Sequence, residues 1–365
     1  MFDEAVHMCY NFFMQSINTE SQWPVVGHTA AIQFLQQLTT PAQPTTDQFG
    51  PRHAYLILGP RQVGKWTLAN TFSQALLCTD RTYRPCGHCR SCHLFLHSSH
   101  PDYRVIQPLD KNGDVDRIGG TLRVEQAADI IHDVVLRPME GRYKIFLIQD
   151  LHTANDSFSN KLLKTLEEPP AHAIFVLTAL DRNRLLPTIV SRCQLIELRP
   201  VAPPVIAKAL TERWQATTEE ADLLSRLARG RMGWAVQQFG MTGETQSRLT
   251  QLETLWNLVA AKPVERLAAA EQLATATGHQ QLFELIEMWT TWWRDLLLVQ
   301  SGCIDACCNI DQQQELQRQA NAISTKAVRE YLHTLHRIEG YLHHTINTRL
   351  ALEVLLLQIP ILSRS

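Results

Sequence analysis

Lys65 lies in the stretch Gly59-Pro60-Arg61-Gln62-Val63-Gly64-Lys65-Trp66-Thr67. It matches the phosphate-loop pattern G-x-x-x-x-G-K-[ST] at every position but one. Glycines there let backbone N–H groups turn toward phosphate. A following helix N-terminus adds partial positive charge, and the lysine reaches the outer phosphates. The failing position comes after the lysine, where a hydroxyl should ligate Mg2+; Trp66 stands there. Thr67 is one residue further, rotated by about 100° on a helix, and cannot substitute without distorting the loop. A second defect lies in Ile148-Gln149-Asp150-Leu151, where a metal-binding Asp and a catalytic Glu should follow a strand. Gln149 brings no negative charge, and Asp150 has a shorter reach than Glu. Shifting the register makes Asp150 the metal ligand but leaves Leu151 as the base. One loss can be compensated. Two independent Mg2+ groups missing together predict a site without ATP hydrolysis, and leave ATP/Mg2+ binding open.

A second cluster carries metal chemistry. Cys86-Gly87-His88-Cys89-Arg90-Ser91-Cys92 gives C-x2-C-x2-C, with Cys78 ahead of it. Four thiolates close a tetrahedral shell around Zn2+, and a closed shell makes the ion structural rather than catalytic. His88 and His93 are alternative ligands or supporting groups, and four unrelated thiols is the plain alternative. An iron–sulfur cluster has no other support in the chain. A third feature, Ser191-Arg192-Cys193, precedes a strand. Alone, that arginine would be a surface residue.

Elements must position these groups. Ala54 to Leu58, Lys144 to Ile148, Ala173 to Thr178 and Gln194 to Leu198 are short apolar runs, each read as a buried parallel strand. Helical stretches at Leu68–Leu77 and Ser157–Leu166 separate them, so the expected fold is an α/β P-loop domain with a parallel sheet covered on both faces. An amphipathic helix is expected from Trp23 to Gln37, and Thr39 to Pro51 reads as a loop. After Pro203-Pro204 helical periodicity takes over, and glycines 230, 233, 240 and 243 mark a boundary near 240. Leu282, Phe283, Ile286, Trp289, Trp293 and Leu296 form a broad helical face, with Trp292 on another side. Such a face serves a core or an oligomer interface.

Composition narrows the class. Lys and Arg number 34 and Asp and Glu 36, a net charge of −2, which excludes a basic nucleic-acid-coating protein. The N-terminus is acidic where a signal peptide would be basic. No apolar run approaches the ~18 residues of a membrane helix. Nine cysteines, unevenly spaced, suit a reducing cytosol with a metal site better than a disulfide framework.

Taken together these stretches resemble the clamp-loader branch of the AAA+ ATPases, which serves bacterial DNA polymerase III. Val25-Val26-Gly27-His28 matches the family's opening, and His53-Ala54-Tyr55-Leu56 precedes the phosphate loop as it does there. The cysteine cluster follows the phosphate-loop helix at the family's place. Asn160 through Pro170 matches its "ALLKTLEEPP" stretch, and Leu186 through Cys193 its SRC motif. The resemblance covers Trp23 to Leu198 and, more weakly, the helical remainder.

It implies an N-terminal extension (1–22), a AAA+ domain (23–203) with an inserted zinc module (78–92), a small helical lid (204–243) and an all-α collar or oligomerisation domain (244–365). It implies that Arg192 is an arginine finger acting in a neighbour's ATP site, positioned by Ser191 and Cys193. Thr178 falls at the sensor-1 place. Gly233 occupies the slot of the sensor-2 arginine, with Arg231 close by. The altered groups serve this subunit's own hydrolysis, while the retained arginine serves a neighbour. That asymmetry resembles the family's non-catalytic subunit rather than its gamma/tau-type ATPase, which remains the alternative. A stand-alone zinc-containing nucleic-acid binder needs neither the 160–170 stretch nor Ser191-Arg192-Cys193. The implied partners are gamma/tau-type subunits and a delta subunit in a five-subunit ring, the sliding clamp, and primed DNA in the cytoplasm, with Lys161 and Lys164 as candidate backbone contacts.

Overall fold

The computed structural model describes residues 23–40, 50–116, 119–240, 244–276, 278–342 and 347–360. The expected N-terminal extension, 1–22, and Gly243 lie outside them. The chain packs as two compact units. The first takes in residues up to Ala209 together with Gly230–Trp234. The second takes in Leu210–Arg229 and the chain from Ala235 onward. The stretch expected as a lid, 204–243, is thus divided between them.

The first unit is built on five parallel strands: β1 (Ala54–Leu58), β2 (Tyr103–Ile106), β3 (Lys144–Ile148), β4 (Ala173–Ala179) and β5 (Gln194–Glu197), in the order β2-β3-β4-β1-β5. Every residue of β1, β3 and β4 is buried, which is why they read as unbroken apolar runs. Leu56, Phe146 and Phe175 face one layer, with Phe158 and Leu162 of α5 (Asp156–Glu167). Tyr55, Ile57 and Val176 face the other, with Phe72 of α2 (Lys65–Leu77). β2 was not expected. It is an edge strand whose Arg104 and Val105 are exposed, so it carries no apolar run. The helix expected over 23–37 is α1, Thr29–Thr39. It starts late because Gly27 (φ 73°) and His28 (φ 54°) take left-handed conformations that no helix contains. The remaining helices of this unit are α3 (Arg90–Leu96), α4 (Val124–Val134) and α6 (Pro187–Val190), with α7 (Pro203–Trp214) and α9 (Met232–Gly240) running across the divide.

The second unit is helical: α8 (Thr218–Leu227), α10 (Glu244–Ala260), α11 (Pro263–Ala276), α12 (His279–Gln300), α13 (Gln313–Ala322), α14 (Thr325–Leu342) and α15 (Thr348–Leu357). Trp289, Trp292 and Trp293 of α12 are all fully buried, with Leu282, Ile286 and Leu296 beside them. These side chains make the unit's core, not a face left for another subunit. Three consecutive directions around one helix are buried because α10, α13 and α14 pack around it; Trp292 meets Trp256, and Trp293 meets Tyr331 edge-on.

Two buried ionic groups tie this core together. Arg266 is 2% exposed and has no carboxylate partner among the described residues. It donates instead to the carbonyls of Leu258, Val259, Leu356 and Ile359, at the C-terminal ends of α10 and α15. Asp295 accepts the N–H groups of Cys308 and Asn309 and the Asn309 side-chain amide, each at 2.8 Å on Oδ2. Among the described residues its Oδ1 has no hydrogen-bond donor, and the Arg294 guanidinium stands 3.9 Å away. Burial pushes this carboxyl above the usual carboxylate range, and the donors from Asn309 and Cys308 draw it partly back. Cys307 and Cys308 sit in the loop Asp295 holds. None of the described helices is long and apolar enough to cross a membrane.

Candidate functional site

The phosphate loop joins β1 to α2, as its sequence context requires. Gly59 (φ 152°) leaves no room for a side chain, since a Cβ would lie 2.5 Å from the Leu198 carbonyl. Gly64 (φ 112°) caps α2. Lys65 is buried, and its ammonium donates to the carbonyls of Gly59 and Pro60, both at 2.7 Å. Burial pushes it down to about 8. The nearby Asp150 charge opposes that shift, and Arg61 adds to it.

Three further groups seat the loop. The His28 ring donates to the Val63 carbonyl at 3.2 Å, tying the Val25-Val26-Gly27-His28 stretch to it. Burial lowers the His28 pKa, so the neutral ring is favoured. The N–H of Gly233 donates to the Gln62 carbonyl at 2.8 Å, and a Cβ at 233 would come within 3.0 Å of that oxygen. Position 233 thus holds backbone pressed against the loop. Trp66 packs on the apolar layer of Tyr55 and Phe72.

The β3 terminus departs from Mg2+ chemistry in the same way. Gln149 is buried, and its side-chain oxygen accepts from the Gln107 amide at 2.9 Å, beyond the end of β2. Asp150 (φ 51°) donates its N–H to Thr178 Oγ1 at 3.0 Å. Thr178 therefore supports the β3 turn from the end of β4. The indole after Lys65 offers Mg2+ no oxygen, and the Gln149 oxygen is engaged by Gln107, so Asp150 is the carboxylate at this turn. Thr67 lies on α2, one residue beyond the indole.

The SRC turn follows α6. Arg192 Nη2 donates to Glu167 Oε1 at 2.6 Å, and Nη1 donates to the Thr188 carbonyl at 2.9 Å. Ser191 Oγ also donates to Thr188 O. Cys193 is buried in the sheet core, and burial pushes its thiol up to about 12, which makes it a packing residue and not a nucleophile. Glu167 belongs to the 160–170 stretch, but nothing in its sequence context marked it as the partner of Arg192. Lys161 and Lys164 are exposed on α5.

The four cysteines come together. The Sγ atoms of Cys78, Cys86, Cys89 and Cys92 all lie within 4.8 Å of one another, with Cys78–Cys89 and Cys86–Cys92 at 3.9 Å. A tetrahedron with metal–sulfur bonds of about 2.3 Å has edges of about 3.8 Å. The donor set therefore fits a metal ion of that kind. Backbone N–H groups of Cys86, Cys89 and Cys92 each donate to a cysteine sulfur of the set at 3.4 Å, which favours thiolates. A hydrogen bond from Cys92 holds the Cys78 thiol down at about 5, while the same bond and burial push Cys92 up. His88 stands outside the cage, bonded to the Cys86 carbonyl at 2.9 Å and 3.7 Å from Asp80. The module is anchored by Ser91, which donates to the Leu77 carbonyl and accepts from His100. Asp102 behind it accepts three N–H groups, from Met139, Glu140 and Gly141.

Comparison with known proteins bears on this arrangement. A family model described as "DNA polymerase III, delta subunit" matches residues 34–202, and one described as "DNA polymerase III, delta subunit, C terminal" matches residues 243–360. The delta-prime subunit of DNA polymerase III from Pseudomonas aeruginosa is 31% identical over 253 residues, 68% of this chain and 72% of that one. The chain belongs to the DNA polymerase III delta-prime family. The delta-prime subunit of Haemophilus influenzae is 31% identical over 200 residues, 55% of this chain and 58% of that relative. The tau subunit of Escherichia coli is 36% identical over 148 residues, 40% of this chain but 22% of tau. Membership of the delta-prime family accounts for the parallel phosphate-loop sheet of the AAA+ kind followed by a helical region.

Proposed function

We propose that this chain is the delta-prime-type subunit of a bacterial clamp loader, which does not hydrolyse ATP itself and supplies Arg192 to a neighbouring ATPase subunit. The observation that carries this reading is the asymmetry between two places in one domain. At the chain's own phosphate loop the Mg2+ groups are replaced by Trp66 and Gln149, and Lys65 is engaged by its own loop. At the SRC turn the arginine is kept, partly exposed and attached to a rigid strand. A guanidinium on such an edge supplies the bidentate, permanently charged donor that stabilises charge developing on a transferred phosphoryl group. Ser191 and Cys193 hold the turn that aims it. The cysteine cage would hold a structural Zn2+, whose contribution is to order the inserted module. The partners on this reading are gamma/tau-type and delta subunits in a ring, the sliding clamp, and primed DNA held by the complex in the cytoplasm.

The test is Arg192→Ala in the assembled complex. Ring assembly should survive, and hydrolysis at the site served should slow within the ~10³–10⁵ range of arginine fingers. Normal DNA-stimulated hydrolysis and clamp loading by that variant would end this reading.

A further inference from the structure

Arg192 is folded back onto its own subunit. Its two terminal nitrogens are both committed within its own chain, one to the Thr188 carbonyl and one to the Glu167 carboxylate. The carboxylate bond is short, 2.6 Å, and spans 25 residues of sequence, so it is set by the fold rather than by local helix spacing. Glu167 is the last residue of α5, and Arg192 follows α6; the two helices pack together in the first unit. Arg192 is 33% and Glu167 49% exposed, so water screens the pair. Such a pair orients a side chain without locking it.

We propose that Glu167 is a positioning residue that parks the Arg192 guanidinium on its own subunit, and yields it when the terminal phosphate of a triphosphate on the neighbouring subunit competes for the same fork. This rests on Arg192 acting in trans. Glu167 takes one prong of the fork, Nη2, while Nη1 is held by the Thr188 carbonyl, so a phosphate that takes both prongs must displace the carboxylate. The phosphate carries more charge and accepts from both prongs, so it wins when present. When it is absent, Glu167 takes the fork back. The fraction of unparked Arg192 then sets the apparent affinity of the finger for the neighbour's site.

The experiment is Glu167→Gln in the assembled complex, with hydrolysis measured with and without primed DNA. Glutamine keeps the size and the acceptor oxygen and removes the charge. The basal rate without DNA should rise about two- to fivefold, the population change expected on removing an exposed ion pair. The rate at saturating DNA and ATP should stay unchanged. Glu167→Asp, which keeps the charge but has a shorter reach, should raise the basal rate less than Glu167→Gln does. In an Arg192→Ala background, Glu167→Gln should change nothing, which separates parking from a general effect on α5. A basal rate at or below the parent's, or the same rise without Arg192, would overturn the proposal. If Arg192→Ala slows hydrolysis while Glu167→Gln leaves the basal rate alone, only the parking role falls. If Arg192→Ala has no effect, the finger falls and parking with it.

Discussion

Replacing Cys89 with serine should disorder residues 79–89 while leaving the rest of the domain folded. None of those eleven residues is buried. Holding each costs about 1 kcal/mol of backbone entropy at the low end, or roughly 11 kcal/mol in all. No apolar burial in the stretch offsets that. A structural zinc contributes about 10–16 kcal/mol, which matches the cost. Cys89 supplies one of four sulfurs and accepts the Cys92 N–H that begins α3, so serine removes a ligand and weakens that cap. The damage should stay local, because Leu77 and Phe95, on either side of the module, belong to the sheet core through their own contacts. Metal content by mass spectrometry should be about one zinc per parent chain, and none in the variant. Trypsin should cut after Arg81 at least about tenfold faster in the variant, as a locally unfolded segment allows. Arg84 precedes Pro85 and should resist. Parent protein purified in reducing buffer without zinc, yet with residues 79–89 protected, would refute the reasoning.

Three other outcomes are expected. The isolated chain should show no ATP turnover, and Lys65→Ala should change nothing; turnover in the parent that Lys65→Ala abolishes would mean a working site despite Trp66 and Gln149. Asp295→Ala should cost about 3 kcal/mol in a denaturant melt, because three buried donors lose their acceptor. Asp295→Asn should be at least as stable as the parent at pH 7, since it keeps an acceptor oxygen for the three donors and removes a buried charge that a guanidinium offsets only from 3.9 Å. A carboxyl whose folded pKa is raised contributes stability that is full below its unfolded pKa and lost as pH rises through the folded one. The advantage of Asn should therefore shrink toward pH 4. A loss at pH 7 equal to that of Asp295→Ala would contradict it.

Much of the first unit was legible because burial on both faces writes itself as apolar runs, as in Ala54–Leu58 and Ala173–Ala179. β2 escaped because an edge strand with Arg104 and Val105 outward leaves no such trace. The missing Mg2+ groups could be read from identity alone, at Trp66 and Gln149. Where those side chains go could not, since Gln107, the partner of Gln149, lies 42 residues away. The same limit hid Glu167. Its neighbour Glu168 has identical chemistry, and only the closing geometry of α5 decides which one meets Arg192. Spacing put Trp292 away from the main face of α12. In the folded unit that side is core too, because helices pack around α12 from more than one direction.

Arg266 joins near and distant parts of the second unit's sequence. Two of its acceptors, Leu258 and Val259, lie within eight residues of it. The other two, Leu356 and Ile359, come 90 and 93 residues later. Without α15 the guanidinium would keep only half of these bonds. The arrival of α15 completes the set. The guanidinium thus couples a local turn to a long-range closure, holding the ends of α10 and α15 through one buried group.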